Sequence, residues 1–269
     1  MRGFTLVELL IATGLLGAIA AAGLGGLLQA SKAARHIAAE QTTQERAEYA
    51  LATLEADIQM AGYFGFGTPT PDTAMPQVPP LTLPCGTELL RGGLRSVEVQ
   101  PQYRLSCAAA GGGSAMNSPV LILRRASTRT SAAEAGRVQW YGSLITPEHN
   151  QFFWNGMPPT AMQPAADHRE IRNLVVRAFY IARGSDGDSQ SPSLRVKTLS
   201  AIAGAPAFID TEVMPGVASL QVELLPAAHP GTVRVVLGLR SDAADRGSAP
   251  TSPLALFTRH FALRNVLQN

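Results

Sequence analysis

An α+β fold, one long N-terminal helix laid on a mostly antiparallel sheet, is predicted from three observations. The 269-residue chain opens on an uncharged apolar run that passes into polar sequence with no helix breaker. A Pro- and Gly-rich stretch then interrupts it. Beyond that, apolar residues recur with period two in β-rich runs. A sheet with one face covered by a half-apolar helix accounts for all three.

From Leu9 to Ser31 no residue is charged, and LLIATGLLGAIAAAGLGGLLQAS is long enough to cross a bilayer as a helix. A secretory signal would need a small-residue cleavage site, which Ala20-Ala21-Ala22 offers. Against it, Glu8 opens the run and helical sequence continues past any cut. A plain anchor leaves Glu8 unexplained, because an acidic group at the membrane centre costs roughly 2.5–3.5 kcal/mol. Gly14, Ala18, Ala22 and Gly26 fall four apart, a small-residue face on which helices can approach closely. Gly23, Gly25 and Gly26 weaken the helix by roughly 1 kcal/mol each relative to Ala.

After Ser31 the sequence is polar until Ala47, Leu51, Leu54, Ile58 and Ala61 form an amphipathic stripe. The stretch before Ala47 has no such stripe and is expected to bridge membrane and head. A helix from Thr5 to about Met60 would run on the order of 80 Å at 1.5 Å per residue. Gly62, Gly65 and Gly67, then Pro69 and Pro71, end it.

Residues 68–117 read as a long connection containing the low-complexity AAAGGGSA and both cysteines, Cys85 and Cys107. In an exported domain the pair reads as one disulfide that ties the connection, and in a cytosolic one as two thiols. Strands are expected at Val120–Arg124, Val138–Ile145, Leu174–Ala182, Leu194–Leu199, Val217–Leu225, Val233–Arg240 and Leu256–Leu263. Arg183-Gly184-Ser185-Asp186-Gly187-Asp188 reads as a turn.

The net charge of +2 is too small for a nucleic-acid groove, and no nucleic acid is expected as a partner. The basic residues, nearly all Arg, are scattered among the strands and read as solvated sheet faces. A P-loop, a G-x-S-x-G elbow and an H-E-x-x-H pair are absent, and the five histidines are dispersed, so no catalytic residue, cofactor or metal site is expected. Asp186-x-Asp188 with Ser189 and Gln190 supplies oxygen ligands that could hold calcium, although a glycine turn explains the same residues more simply.

Met1-Arg2-Gly3 followed by Phe4-Thr5-Leu6-Val7-Glu8-Leu9-Leu10 resembles the type IV prepilin cleavage motif almost letter for letter. The resemblance implies cleavage after Gly3 by a prepilin peptidase and methylation of the new N-terminal Phe4. It makes Glu8 the family's acidic residue that admits a subunit to the filament. Thr5-x-x-Glu8 is also a capping box in its own right. Arg2 suits a cytoplasmic start. The implied divisions are a leader at 1–3, a pilin helix at 4–62 (transmembrane about 9–31, amphipathic about 47–61) and a periplasmic head at 63–269. An exported head in turn favours a Cys85–Cys107 disulfide.

More narrowly, Asp57-Ile58-Gln59-Met60-Ala61-Gly62-Tyr63, Val217-Ala218-Ser219-Leu220-Gln221-Val222 and Phe261-Ala262-Leu263-Arg264-Asn265 look like the minor pilin PilW family, which itself resembles the J-type pseudopilin of type II secretion. Members often carry a Cys where Phe66 or Gly67 stands here, so their disulfide pattern does not carry over. The resemblance implies a non-enzymatic assembly subunit, anchored in the inner membrane and then placed at a pilus tip. Its partners would be other minor pilins, the major pilin and a tip adhesin. A J-like pseudopilin is the alternative, and a membrane-tethered binding protein or enzyme is the competing class.

Overall fold

Helix α1 spans Leu6–Met60 without interruption, passing through Gly23, Gly25 and Gly26. The computed structural model describes residues 5–69, 85, 88–91, 95–158, 168–225, 231–240 and 254–265. These fall into two compact units, one holding the helix up to Glu45 and the other beginning at Arg46. The helix stops at Gly62, whose φ of +82° is left-handed. A Cβ there would lie 2.8 Å from both the Asn265 carbonyl oxygen and Ser96 Oγ, so conformation and space both demand glycine.

In the second unit the expected stripe is the buried one. Ala47, Leu51, Leu54, Ile58 and Ala61, joined by Ala50, are at most 2% exposed. They pack on Leu121 and Leu123 of β2 (Val120–Thr130) and on Phe179 and Ile181 of β5 (Arg169–Ala182). The same cluster takes in Val217 and Leu220 of β8 (Val217–Leu224), Val235 and Leu237 of β9 (Thr232–Leu239) and Phe261 of β10 (Ala255–Ala262). Among the described residues the head therefore has two sheets where one was expected: a seven-stranded sheet and a three-stranded sheet of order β10-β9-β8.

The larger sheet adds β1 (Val97–Gln100), β3 (Ala135–Ser143), β4 (Gln151–Asn155), β6 (Ser193–Ile202) and β7 (Ala205–Pro215). Every named pairing is antiparallel. Strand β5 organises it. β2 pairs along one edge, while β3 takes Arg169–Asn173 and β6 takes Arg177–Ala182 along the other.

Alternation along β2 and β5 then fills the opposite face. Val120 and Ile122, with Ala178 and Tyr180, face a second cluster containing Trp140, Phe152, Leu89 and Cys85.

Seven strands lie where the β-rich runs put them, with ends shifted by a few residues. Three were not foreseen. β1 and the short helix α2 (Glu88–Arg91) interrupt the expected connection at 68–117. β4 is only Gln151–Asn155, and β7 carries two prolines and two acids that mask its period. The reading of the basic residues as solvated is corrected for four of them: Arg124, Arg172, Arg195 and Lys197 are 1–9% exposed. Each is buried because a carboxylate or backbone carbonyls meet it.

Candidate functional site

Gly3 and Phe4 lie outside the described residues. Just beyond them, Thr5 and Glu8 form the reciprocal capping box their spacing allows. Thr5 N and Oγ1 donate to Glu8 Oε2 at 3.0 and 2.9 Å, and Glu8 N returns a bond to Thr5 Oγ1 at 3.4 Å. Above the box, α1 includes a stretch long and apolar enough to cross a membrane, none of it buried within the chain. Leu9, Leu10, Leu16, Ile19, Leu24 and Leu27 are 62–70% exposed. At Gly14 and Gly26 an added Cβ would meet nothing within 4 Å. So large an exposed apolar surface suits a membrane anchor.

The second half of α1 is fastened to the sheets by charge. Asp57, 2% exposed, accepts from Arg177 Nη1 at 2.5 Å and from Arg125 Nη2 at 3.4 Å. Glu48 and Glu55 pair with Arg259 of β10.

On the opposite face of the larger sheet, Cys85 and Cys107 are disulfide-bonded, with Cα atoms 4.2 Å apart. The chain after Cys107 lies over a buried charge cluster. Lys197 Nζ donates to the Ala108 carbonyl at 2.9 Å and to Asp210 Oδ2 at 2.6 Å. Arg195 Nε donates to Asp210 Oδ1 at 2.7 Å, and its Nη1 to Asp186 Oδ1 at 2.6 Å. Tyr180 Oη donates to Asp210 Oδ2 at 2.7 Å and accepts from Ala110 N at 3.0 Å.

Burial alone would raise the Asp210 carboxyl. Hydrogen bonds from Lys197, Tyr180 and Arg195, with the Lys197 charge, outweigh it and hold the group below its ordinary value. The Tyr180 hydroxyl is pushed up by burial and then by its bond to Asp210.

This cluster went unforeseen. Its signal was there: Arg195-x-Lys197 and Asp210-x-Glu212 put opposite charges on one face of neighbouring strands. Asp186, considered for calcium, aims its carboxylate at Arg195. Among the described residues no three His, Cys, Asp or Glu side chains converge as a metal site.

No family model matches the chain, and no solved structure does. Over 83 residues it is 36% identical to a pilin-like protein, PilA3, of Thermus thermophilus, a stretch covering 30% of this chain and 35% of that relative. The chain thus spans about a third of the relative's length. Together with an α+β fold built from a long apolar N-terminal helix and an antiparallel head, that likeness supports a type IV pilin-like protein.

Proposed function

We propose that the chain is a minor pilin that helps to initiate a type IV pilus as part of a tip complex, and has no catalytic role. The observation that carries this reading is the Thr5–Glu8 pair at the foot of a fully exposed apolar helix, directly after Gly3-Phe4. In a bilayer or a helical filament core the exposed surface is covered. The Glu8 carboxylate is then compensated by the charged amine of a processed neighbour. The leader at 1–3 is removed, Phe4 is methylated, and the head at 63–269 stands in the periplasm until the subunit leaves the inner membrane.

Packed helices sit roughly 8–10 Å apart, whereas a head of about 200 residues has a radius of gyration near 17 Å. One such head at a filament end is easier to seat than many along its length. PilW-like sequence at Asp57–Tyr63 and Phe261–Asn265 supports the assignment. Prepilin peptidase, the other minor pilins, the major pilin and a tip adhesin are the proposed partners.

Mass spectrometry of the N-terminal peptide tests the foundation: the mature chain begins at methylated Phe4. A start near Gly23 means a secretory signal and ends the prepilin reading. Labelled protein spread along whole filaments ends the tip reading alone. Dependence of a secretion system's export on this chain, with pili intact, makes it a J-like pseudopilin.

A further inference from the structure

Strand β7 pairs with β6 and with no other strand among the described residues. Its register with β6 is unbroken from Glu212, opposite Arg195, to Ala205, opposite Ile202, and Pro206 and Pro215 bracket the stretch between them. From Ala207 to Glu212 the second edge of β7 is therefore a row of backbone donors and acceptors without a β partner among the described residues. Side chains on the two faces differ sharply. Ala207, Ile209 and Thr211 face one way without charge, and Ile209 is 43% exposed. Asp210 and Glu212 face the other, where they join Arg195, Lys197 and Asp186.

That cluster holds three carboxylates against two cations. Arg195 Nη1 approaches Asp186 Oδ1 to 2.6 Å but Glu212 Oε2 only to 3.6 Å. Glu212 also accepts from Asp186 N at 2.8 Å, a backbone donor that brings no full charge. Of the three carboxylates Glu212 thus has the longest ion pair, and it stands on β7 with 17% of its side chain exposed.

We propose that β7 is a docking edge for an extended segment of a different protein chain, one that carries Lys or Arg opposite Glu212 and small apolar or hydroxyl side chains on its other face. Backbone bonds supply attachment, and the charge supplies selection. The chain's own β7 is a poor occupant: in the register that matches the two uncharged faces, carboxylate meets carboxylate. This contact is separate from the N-terminal helix, so it can fail while the assembly reading stands, and the reverse.

The test uses the full-length chain in detergent micelles and short labelled peptides that alternate Val or Thr with Lys. Parallel peptides carry Glu in place of Lys, or N-methyl groups on alternate amides. Fluorescence anisotropy should show the Lys peptide binding about tenfold more tightly than the Glu peptide, as a swing of roughly 1.4 kcal/mol between attraction and repulsion requires. N-methylation should abolish binding, and hydrogen exchange should slow along Ala207–Glu212. Glu212→Lys should reverse the preference, and the peptide series on the unaltered chain decides the matter should that variant not fold. No binding of the Lys peptide, equal binding of the N-methylated one, or protection elsewhere overturns the proposal. Self-association through β7 overturns its choice of occupant.

Discussion

Asp57 on α1 and Arg177 on β5 meet at 2.5 Å across 120 residues of sequence, with the carboxylate almost wholly withdrawn from solvent. Arg125 approaches the other carboxylate oxygen at 3.4 Å, so one acid on the helix is shared by two strands. Removing it leaves two guanidinium groups facing a closed helix–sheet seam. Breaking a fully buried pair costs about 3–5 kcal/mol. Because Arg177 and Arg125 keep 35% and 19% of their side-chain surface exposed, a loss of about 1–3 kcal/mol is expected for Asp57→Ala. Chemical denaturation followed by tryptophan fluorescence measures it, and a midpoint equal to that of the unaltered chain refutes the clasp.

Acid should unfold the head in part through Asp210. Its folded carboxyl titrates below its ordinary value, so the stability it contributes is present above about pH 4, the unfolded range. That contribution falls away as pH drops through the folded value. Thermal melts between pH 6 and pH 2 should decline more steeply for the unaltered chain than for Asp210→Asn, which lacks this titration. Parallel curves would show that Asp210 is not a pH-linked group.

The disulfide between Cys85 and Cys107 spans 22 residues. In the chain-entropy model a loop of that size contributes roughly 3 kcal/mol. Protein purified without reductant should show no thiol reactive to maleimide after denaturation. Reduction should speed amide exchange first at Ala110, whose N–H is held by Tyr180. Two reactive thiols would sink the idea.

Glu8→Gln separates the capping role of residue 8 from its assembly role. Glutamine serves a capping box as glutamate does, so a purely local role leaves the variant unaffected. If Glu8 pairs with a neighbour's amine, the variant should be cleaved and inserted normally yet be missing from sheared filaments. Recovery there at the unaltered level would leave Glu8 with the cap alone.

Much of the fold was legible because single periods carried it. The stripe Ala47-Leu51-Leu54-Ile58-Ala61 named the buried helix face residue by residue. Long alternating strands such as β5 were equally plain. What escaped is what local pattern does not encode. β7 owes its place to pairing with β6 despite its prolines and acids, and β8 to β10 form their own sheet, whose residues join the same core cluster as the helix stripe. Arg124 and Arg195 were read as exposed because the carboxylates that meet them, at Glu98, Asp186 and Asp210, lie beyond the reach of a local pattern. The Thr5–Glu8 capping box is local and was read directly, while the Asp210 cluster requires two strands in register before it exists.

The branching of β5 has a consequence for the order in which the head can form. β1 pairs with β2, and β3 with β4, and among the described strands β5, which follows both in the chain, is the one that pairs with both ladders. A growing polypeptide that has reached residue 168 therefore holds two ribbons without the strand that joins them, each too narrow to be stable alone. Trp140 and Phe152 then have Phe64 beside them but not Ala178 and Tyr180, which complete their cluster. Closure of the larger sheet waits for Arg169–Ala182. Nascent chains halted before and after this strand, probed by limited proteolysis, would show the protection arriving in one step.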